Sequence, residues 1–300
     1  MLKGFLLAAL ASCSYGFGPF FALPLMADGI PSMTILFSRF AISAVILGLV
    51  LSMRGVSLRV SKADFIKLSG ISTLYSSAAA SFFFALYYLD SGIVATVHFC
   101  YPVLVVLMMV LFFNERFKIS TLTASLLSFA GVAMFSLQSS SIDINMTGMA
   151  LTLLCAFFAG MYVVTLQVTK INVANSSVIT FYVLTVGASL LGIIGFTIDG
   201  LVIPHEPMQW VNIILLAVVT AALSNLALVA SVKIIGSSLS AILGCLEPVT
   251  AMLIGVFVFH EVFSLENAVG MVLIMSSVFV IAITSHRQNA QIETLRKQGQ

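Results

Sequence analysis

The stretch 239-LSAILGCLEPVTAMLIGVFVFHE-261 is almost entirely apolar, yet it carries Glu247 and Pro248 at its centre. An earlier stretch, 93-IVATVHFCYPVLVVLMMVLFFNE-115, has the same design. Adding 146 to the residue number brings Ala95 onto Ala241, Pro102 onto Pro248, Val103 onto Val249, Phe113 onto Phe259 and Glu115 onto Glu261. At about 1.5 Å per residue, either stretch is long enough to cross a bilayer as a helix. Proline has no amide proton and clashes with the carbonyl four residues back. Those carbonyls belong to His98 and Gly244. In lipid an unpaired carbonyl must face protein, water or a ligand. Pro102, Pro248 and Gly244 are therefore expected to break their helices near mid-depth and to line a site there.

Composition says what surrounds these helices. The 300 residues are 60% hydrophobic and 8% charged, with a mean hydropathy of +1.15. Soluble domains carry about 25% charged residues, so the solvent for most of this surface is the lipid bilayer. A net charge of +2 provides no basic field for nucleic acid. Cys13, Cys100, Cys155 and Cys245 all fall inside apolar segments, too scattered for a zinc site, and read as small apolar helix residues. Leu10-Ala11-Ser12-Cys13 looks like a lipoprotein cleavage site, but the apolar run continues to Leu25. Ala8, Ser12 and Gly16, spaced four apart, form a small-residue packing face, so an uncleaved membrane helix is expected.

Ten apolar runs of spanning length are expected, near 4–26, 32–53, 65–89, 92–113, 119–137, 147–168, 177–198, 209–232, 238–259 and 267–285. With the N-terminus inside, the cytoplasmic loops, helix ends and tails hold 12 of the 13 basic residues, and the thirteenth, Arg39, lies within the second span. The outside holds Asp28, Asp90, Asp143, Asp199, Glu206, Glu261 and Glu266. That asymmetry supports an even helix count with both termini inside. The first helices of each half also correspond, at an offset of 144: Gly4 with Gly148, Gly16 with Gly160, Phe37 with Phe181, Ala44 with Ala188, and Leu47-Gly48 with Leu191-Gly192. Five spans is an odd number, so the two copies face opposite ways. The expectation is an all-α integral membrane protein of ten transmembrane helices in two inverted repeats, 1–142 and 143–285, with a polar cytoplasmic tail at 286–300.

With these repeats, Arg39-Phe40 in the second span, and the Tyr101-Pro102…Glu115 and Glu247-Pro248…Glu261 runs, the chain resembles the drug/metabolite transporter superfamily, in particular its ten-helix EamA-type exporters. The resemblance covers about residues 4–285. It implies a secondary transporter in the inner or plasma membrane, without ATPase or cofactor, that often exports amino acids or related small metabolites. It also implies a central cavity between the repeats. His98 departs from the small or apolar residue expected at its position.

Several residues are candidates for the site. Glu247 and Arg39 are the only charged groups well inside spans, where a lone charge costs at least about 2.5–3.5 kcal/mol. Two readings stand: an ion pair bracing the halves, or a carboxylate that meets a substrate amine or exchanges a proton. His98 is either a ligand-bonding imidazole or a satisfied interhelical hydrogen bond. Tyr101 occupies the repeat position of Glu247. Tyr15, Tyr75, Tyr162 and Asn225 are weaker candidates for binding and stronger ones for helix packing. Glu115 and Glu261 end their helices on opposite sides of the membrane, against the helix dipole. Bonds from neighbouring helix N-termini are expected there, as gates. No GxxxxGK[ST] phosphate loop and no HExxH zinc motif occurs, and no nucleophile–base or metal constellation supports an enzyme. A single deep arginine does not suit a multiply anionic solute, so the expected substrate is a small neutral, zwitterionic or cationic molecule. A multidrug or organic-cation efflux carrier is the main alternative, with a membrane channel or a membrane enzyme behind it. The small-residue faces serve packing within the fold and imply no dimer.

Overall fold

The structure is a computed structural model that describes residues 1–89, 91–115, 118–136, 145–169, 171, 175–198, 200–260 and 264–298. Every regular element among them is helical. In chain order these are α1 (Leu2–Gly16), α2 (Gly18–Ala27), α3 (Ser32–Met53), α4 (Lys62–Ala85), α5 (Ser91–His98), α6 (Tyr101–Phe113), α7 (Ile119–Ser136), α8 (Met146–Val168), α9 (Ser176–Ile198), α10 (Pro207–Leu215), a π-helical segment (Leu216–Leu223), α11 (Ser224–Ile235), α12 (Ser237–Leu243), α13 (Leu246–Val258) and α14 (Leu265–Gln298).

Among the described residues, seven helical stretches are long and apolar enough to cross a membrane: Leu2–Ala27, Ser32–Met53, Ile93–Phe113, Met146–Val168, Ser176–Ile198, Pro207–Ile235 and Ser237–Val258. The chain is thus a multi-pass membrane protein. The other three expected spans are also helical. Ile119–Met134 and Leu265–Val280 are shorter apolar helices. The 24-residue α4 carries Lys62, Asp64 and Lys67 in its first two turns.

Local chemistry explains where helices start and stop. Asn145 Oδ1 accepts from the Thr147 and Gly148 amides at 2.9 and 3.2 Å, capping α8. Ser61 caps α4 by accepting from the Asp64 amide at 3.1 Å. Glu206 and Gln209 form a reciprocal capping box on α10. Asn114 closes α6 in the left-handed conformation, φ 54°, where asparagine is among the tolerated residues.

The helices pack in pairs that exchange between the halves. α1 lies on α11, and α8 lies on α4; α3 crosses α9, and α7 crosses α14. Small residues set the approach. Ser231 Oγ donates to the Gly4 carbonyl at 3.0 Å, and Ser224 Oγ to that of Ala11 at 2.8 Å. At the α3–α9 crossing, a Cβ on Gly48 would meet the Phe181 ring at 2.9 Å, and one on Gly192 would meet the Phe37 ring at 2.9 Å. Phe37 and Gly48 are the residues that an offset of 144 carries onto Phe181 and Gly192. Each half therefore offers its phenylalanine to the other half's glycine, as two-fold related surfaces do.

Four spanning segments are irregular. α5 gives way to α6 at Phe99-Cys100, and α12 to α13 at Gly244-Cys245. The two breaks meet, because Tyr101, first residue of α6, donates its hydroxyl to the Ala241 carbonyl of α12 at 3.3 Å. Pro102 is the second residue of α6, where a missing amide proton forfeits no ladder bond. The expectation of an unpaired carbonyl at Gly244 is corrected: it accepts the Glu247 amide at 3.0 Å, a tightened turn that takes up the bond Pro248 cannot make. Two further irregularities were not expected: the α1–α2 break at Phe17 and the π-helical turns at Leu216–Leu223.

Candidate functional site

The breaks deliver side chains from both halves to one polar cluster. Arg39, in the third turn of α3, is only 7% exposed. Its Nη2 donates to the Tyr15 hydroxyl at 2.9 Å. Its guanidinium lies 4.9 Å from the Tyr15 ring centroid and 5.6 Å from that of Phe40, favourable cation–π placements. Arg39 Nε is buried with no hydrogen-bond partner. Tyr75 of α4 lies within the guanidinium's electrostatic reach and stacks on Tyr162 of α8 at 4.7 Å. Tyr162 donates to Asn225 Oδ1 at 3.0 Å, just past the π-helical segment.

Glu247 approaches from α13. As the second residue after the break, it sits in the first turn of a new helix, whose positive end favours a carboxylate. Gly16, last residue of α1, allows the approach: a Cβ there would meet the Glu247 carbonyl oxygen at 2.6 Å. Arg39, Tyr15 and Tyr101 all lie within electrostatic reach of the Glu247 carboxylate. Arg39 and Glu247 nevertheless make no contact ion pair. Glu247 keeps some accessible surface, and none of the hydrogen bonds among the described residues involves its carboxylate. The guanidinium and the carboxyl group thus lie within electrostatic reach without a contact pair, each with bonding capacity to spare.

His98 closes one flank. It is the last residue of α5, with ring centroids of Phe82, Phe99 and Tyr101 at 5.5, 5.3 and 5.3 Å. Its Nδ1 lies 3.1 Å from Cys155 Sγ of α8. Of the candidates, Tyr15, Arg39, Tyr75, Tyr162, Asn225, Tyr101, Glu247 and His98 come together, around the breaks marked by Pro102, Gly244 and Pro248. Cys155 was missed because its apolar surroundings in sequence gave no sign of an imidazole partner.

Glu115 lies elsewhere, beyond the end of α6. Its Oε2 accepts from Ser238 Oγ, in the first turn of α12, at 2.9 Å. Beside it, Gln167 at the end of α8 accepts from the Ser237 hydroxyl at 2.7 Å, and Ser231 of α11 meets Ser240 of α12 at 2.9 Å. Glu261 lies outside the described residues. Among the described residues no group of three or more His, Cys, Asp or Glu side chains has metal-holding geometry.

Comparisons with known proteins bear on the fold and the family. One solved structure, a crystal structure of a protein, is similar over 96% of this chain and 99% of its own, with a TM-score of 0.84 and 18% identity. At that identity the likeness is one of fold. No curated protein matches the chain. The EamA-like transporter family matches twice, over residues 2–137 and 146–283, so the two halves carry the same pattern and the chain belongs to the EamA-like transporter family.

Proposed function

We propose that the chain is a ten-helix secondary transporter of the cell membrane, with both termini inside. It exports an amino acid or related small zwitterion by alternating access between two inverted repeats. The observation that carries the substrate class is the absence of a contact pair between Arg39 and Glu247, two ionisable groups of opposite type. An α-ammonium at Glu247 and a carboxylate at the Arg39–Tyr15 pair would satisfy both groups at once. A charge-assisted hydrogen bond is roughly twice as strong as a neutral one, and the gain is larger in a desolvated site.

The helix contacts support the mechanism. The start of α12 packs against α6, α7 and α8, and is tied to them by Glu115 and Gln167. Its counterpart in the other half, α5, has no comparable packing against α13, α14 or α2 among the described residues. On this reading the α12 side is the closed mouth and the α5 side the open one; Glu261, the repeat partner of Glu115, lies outside the described residues. Exchanging the two arrangements across the two-fold gives the opposite state, as inverted-repeat carriers do.

The test is counterflow in proteoliposomes with the purified protein and a panel of zwitterions, organic cations and dianions. Saturable exchange of at least one zwitterion is expected, with Glu247→Gln and Arg39→Gln each lowering it at least tenfold. Ion currents without saturable exchange would point to a channel and end the proposal. A carrier of organic cations is the second reading, favoured by the unpartnered Glu247 beside aromatic rings. It predicts that Arg39→Gln raises cation exchange, because the opposing positive field is removed.

A further inference from the structure

Cys155 and His98 come from opposite halves, α8 and α5, and meet at 3.1 Å between Sγ and Nδ1. The faces and edges of the imidazole are walled by Phe82, Phe99 and Tyr101. The ring's only other polar atom is Nε2, and no hydrogen bond to it exists among the described residues. His98 keeps some accessible surface, while Cys155 is 1% exposed. Tyr101 links this corner to the head-group site, since it packs on His98 and lies in the field of Glu247.

The two nitrogens of a neutral imidazole are not independent: the bond made by one fixes whether the other carries the proton. A thiol is a weak donor and a weak acceptor, whereas the imidazole lone pair accepts readily. Donation of S–H to Nδ1 uses the better acceptor and leaves the proton of the ring on Nε2. We infer that Cys155 is a positioning residue that holds His98 as an Nε2–H donor, and that this donor forms a side-chain subsite for zwitterionic solutes bearing a hydrogen-bond acceptor, such as a hydroxyl or a carboxamide. The inference rests on the zwitterion reading for the substrate class, but not for the tautomer.

The aromatic walls accept the apolar stem of such a side chain and exclude water. A site built around a buried donor discriminates strongly, because a solute without the acceptor leaves the donor unpaired. An apolar pocket, by contrast, separates neighbours differing by one methylene only about 10–200-fold.

Two measurements test this. The first is counterflow with near-isosteric pairs, threonine against valine and glutamine against norleucine. Wild-type protein is expected to favour the acceptor-bearing member of at least one pair at least tenfold. Cys155→Ser, whose hydroxyl donates to Nδ1 in the same way, keeps that ratio. Cys155→Ala and His98→Phe bring it below about threefold while Tm shows the protein folded. An unchanged ratio in either of the last two variants overturns the inference. The second is the nitrogen NMR spectrum of protein labelled at its four histidines, with His98 assigned from His98→Asn. The Nε2–H tautomer is expected in wild type and Cys155→Ser, and a mixture of tautomers in Cys155→Ala. An Nδ1–H tautomer in wild type, or no change in Cys155→Ala, overturns it. If no zwitterion exchanges at all, the substrate class falls with the zwitterion reading, and the spectrum alone decides the role of Cys155.

Discussion

At the residue scale, burial and bonding decide which side chains are braces and which are free to bind. Tyr15 is a brace: its hydroxyl oxygen accepts a hydrogen bond from Arg39 Nη2 at 2.9 Å, in a guanidinium whose Nε already lacks a partner. Tyr15→Phe would leave a second buried donor unpaired, a penalty of about 1–3 kcal/mol. A clear drop in Tm in detergent is therefore expected, and an unchanged Tm would show that water or lipid reaches this donor. Arg39 and Glu247 were legible in the sequence because charge inside an apolar run is conspicuous. That they come within electrostatic reach without a contact pair was not, because their separation is set by where α3 and α13 lie in space. Tyr101 was legible only through the repeat, and Cys155 not at all, since a cysteine among apolar residues looks the same whether or not a histidine faces it.

At the element scale, the helix breaks were legible where proline marked them. Pro102 and Pro248 predicted two of them, and the structure places each at the start of a new half-helix rather than within a strained one. Pro102→Ala is accordingly expected to leave Tm nearly unchanged, since no ladder bond was missing at that position. The α1–α2 break carried a signal too, Gly16-Phe17-Gly18-Pro19, hidden within an apolar run of spanning length. The π-helical turns had none, because one wider turn leaves no mark on composition. Repeat-related glycines differ in what they touch. A Cβ at Gly16 would strike the Glu247 carbonyl at 2.6 Å, whereas one at Gly160 would meet the flexible Met108 methyl at 2.9 Å. Gly16→Ala should therefore cost about 1–3 kcal/mol, as overpacking does, and Gly160→Ala distinctly less. Equal Tm losses would contradict this placement. Gly244→Ala would drive a methyl into the Tyr101 hydroxyl and the Ala241 carbonyl. Lost counterflow is expected, and partly recovered in Gly244→Ala/Tyr101→Phe, because only the carbonyl clash remains.

At the scale of the whole molecule, the doubled pattern was legible from residue offsets, and the family match repeats it over 2–137 and 146–283. The tie between Glu115 and α12 was not legible, because both halves carry the same kind of sequence and only packing separates them. The proposed closed side depends on the bond between Glu115 and Ser238. In a cysteine-free background with a reporter at Ser240, Glu115→Gln and Ser238→Ala should each raise the rate of maleimide labelling several-fold. Unchanged rates would show that packing alone keeps that side closed.

The crossing where Phe37 covers Gly192 and Phe181 covers Gly48 has a different standing. A contact that maps onto itself when the halves swap roles contributes the same energy before and after the swap. Under the proposed alternating access it would act as a fulcrum: strengthening or weakening it would alter how firmly the molecule holds together without tipping it toward either mouth. Substitutions there should shift the melting point and leave the proportions of the two conformers alone, making this crossing the place to toughen the carrier for study without freezing its cycle.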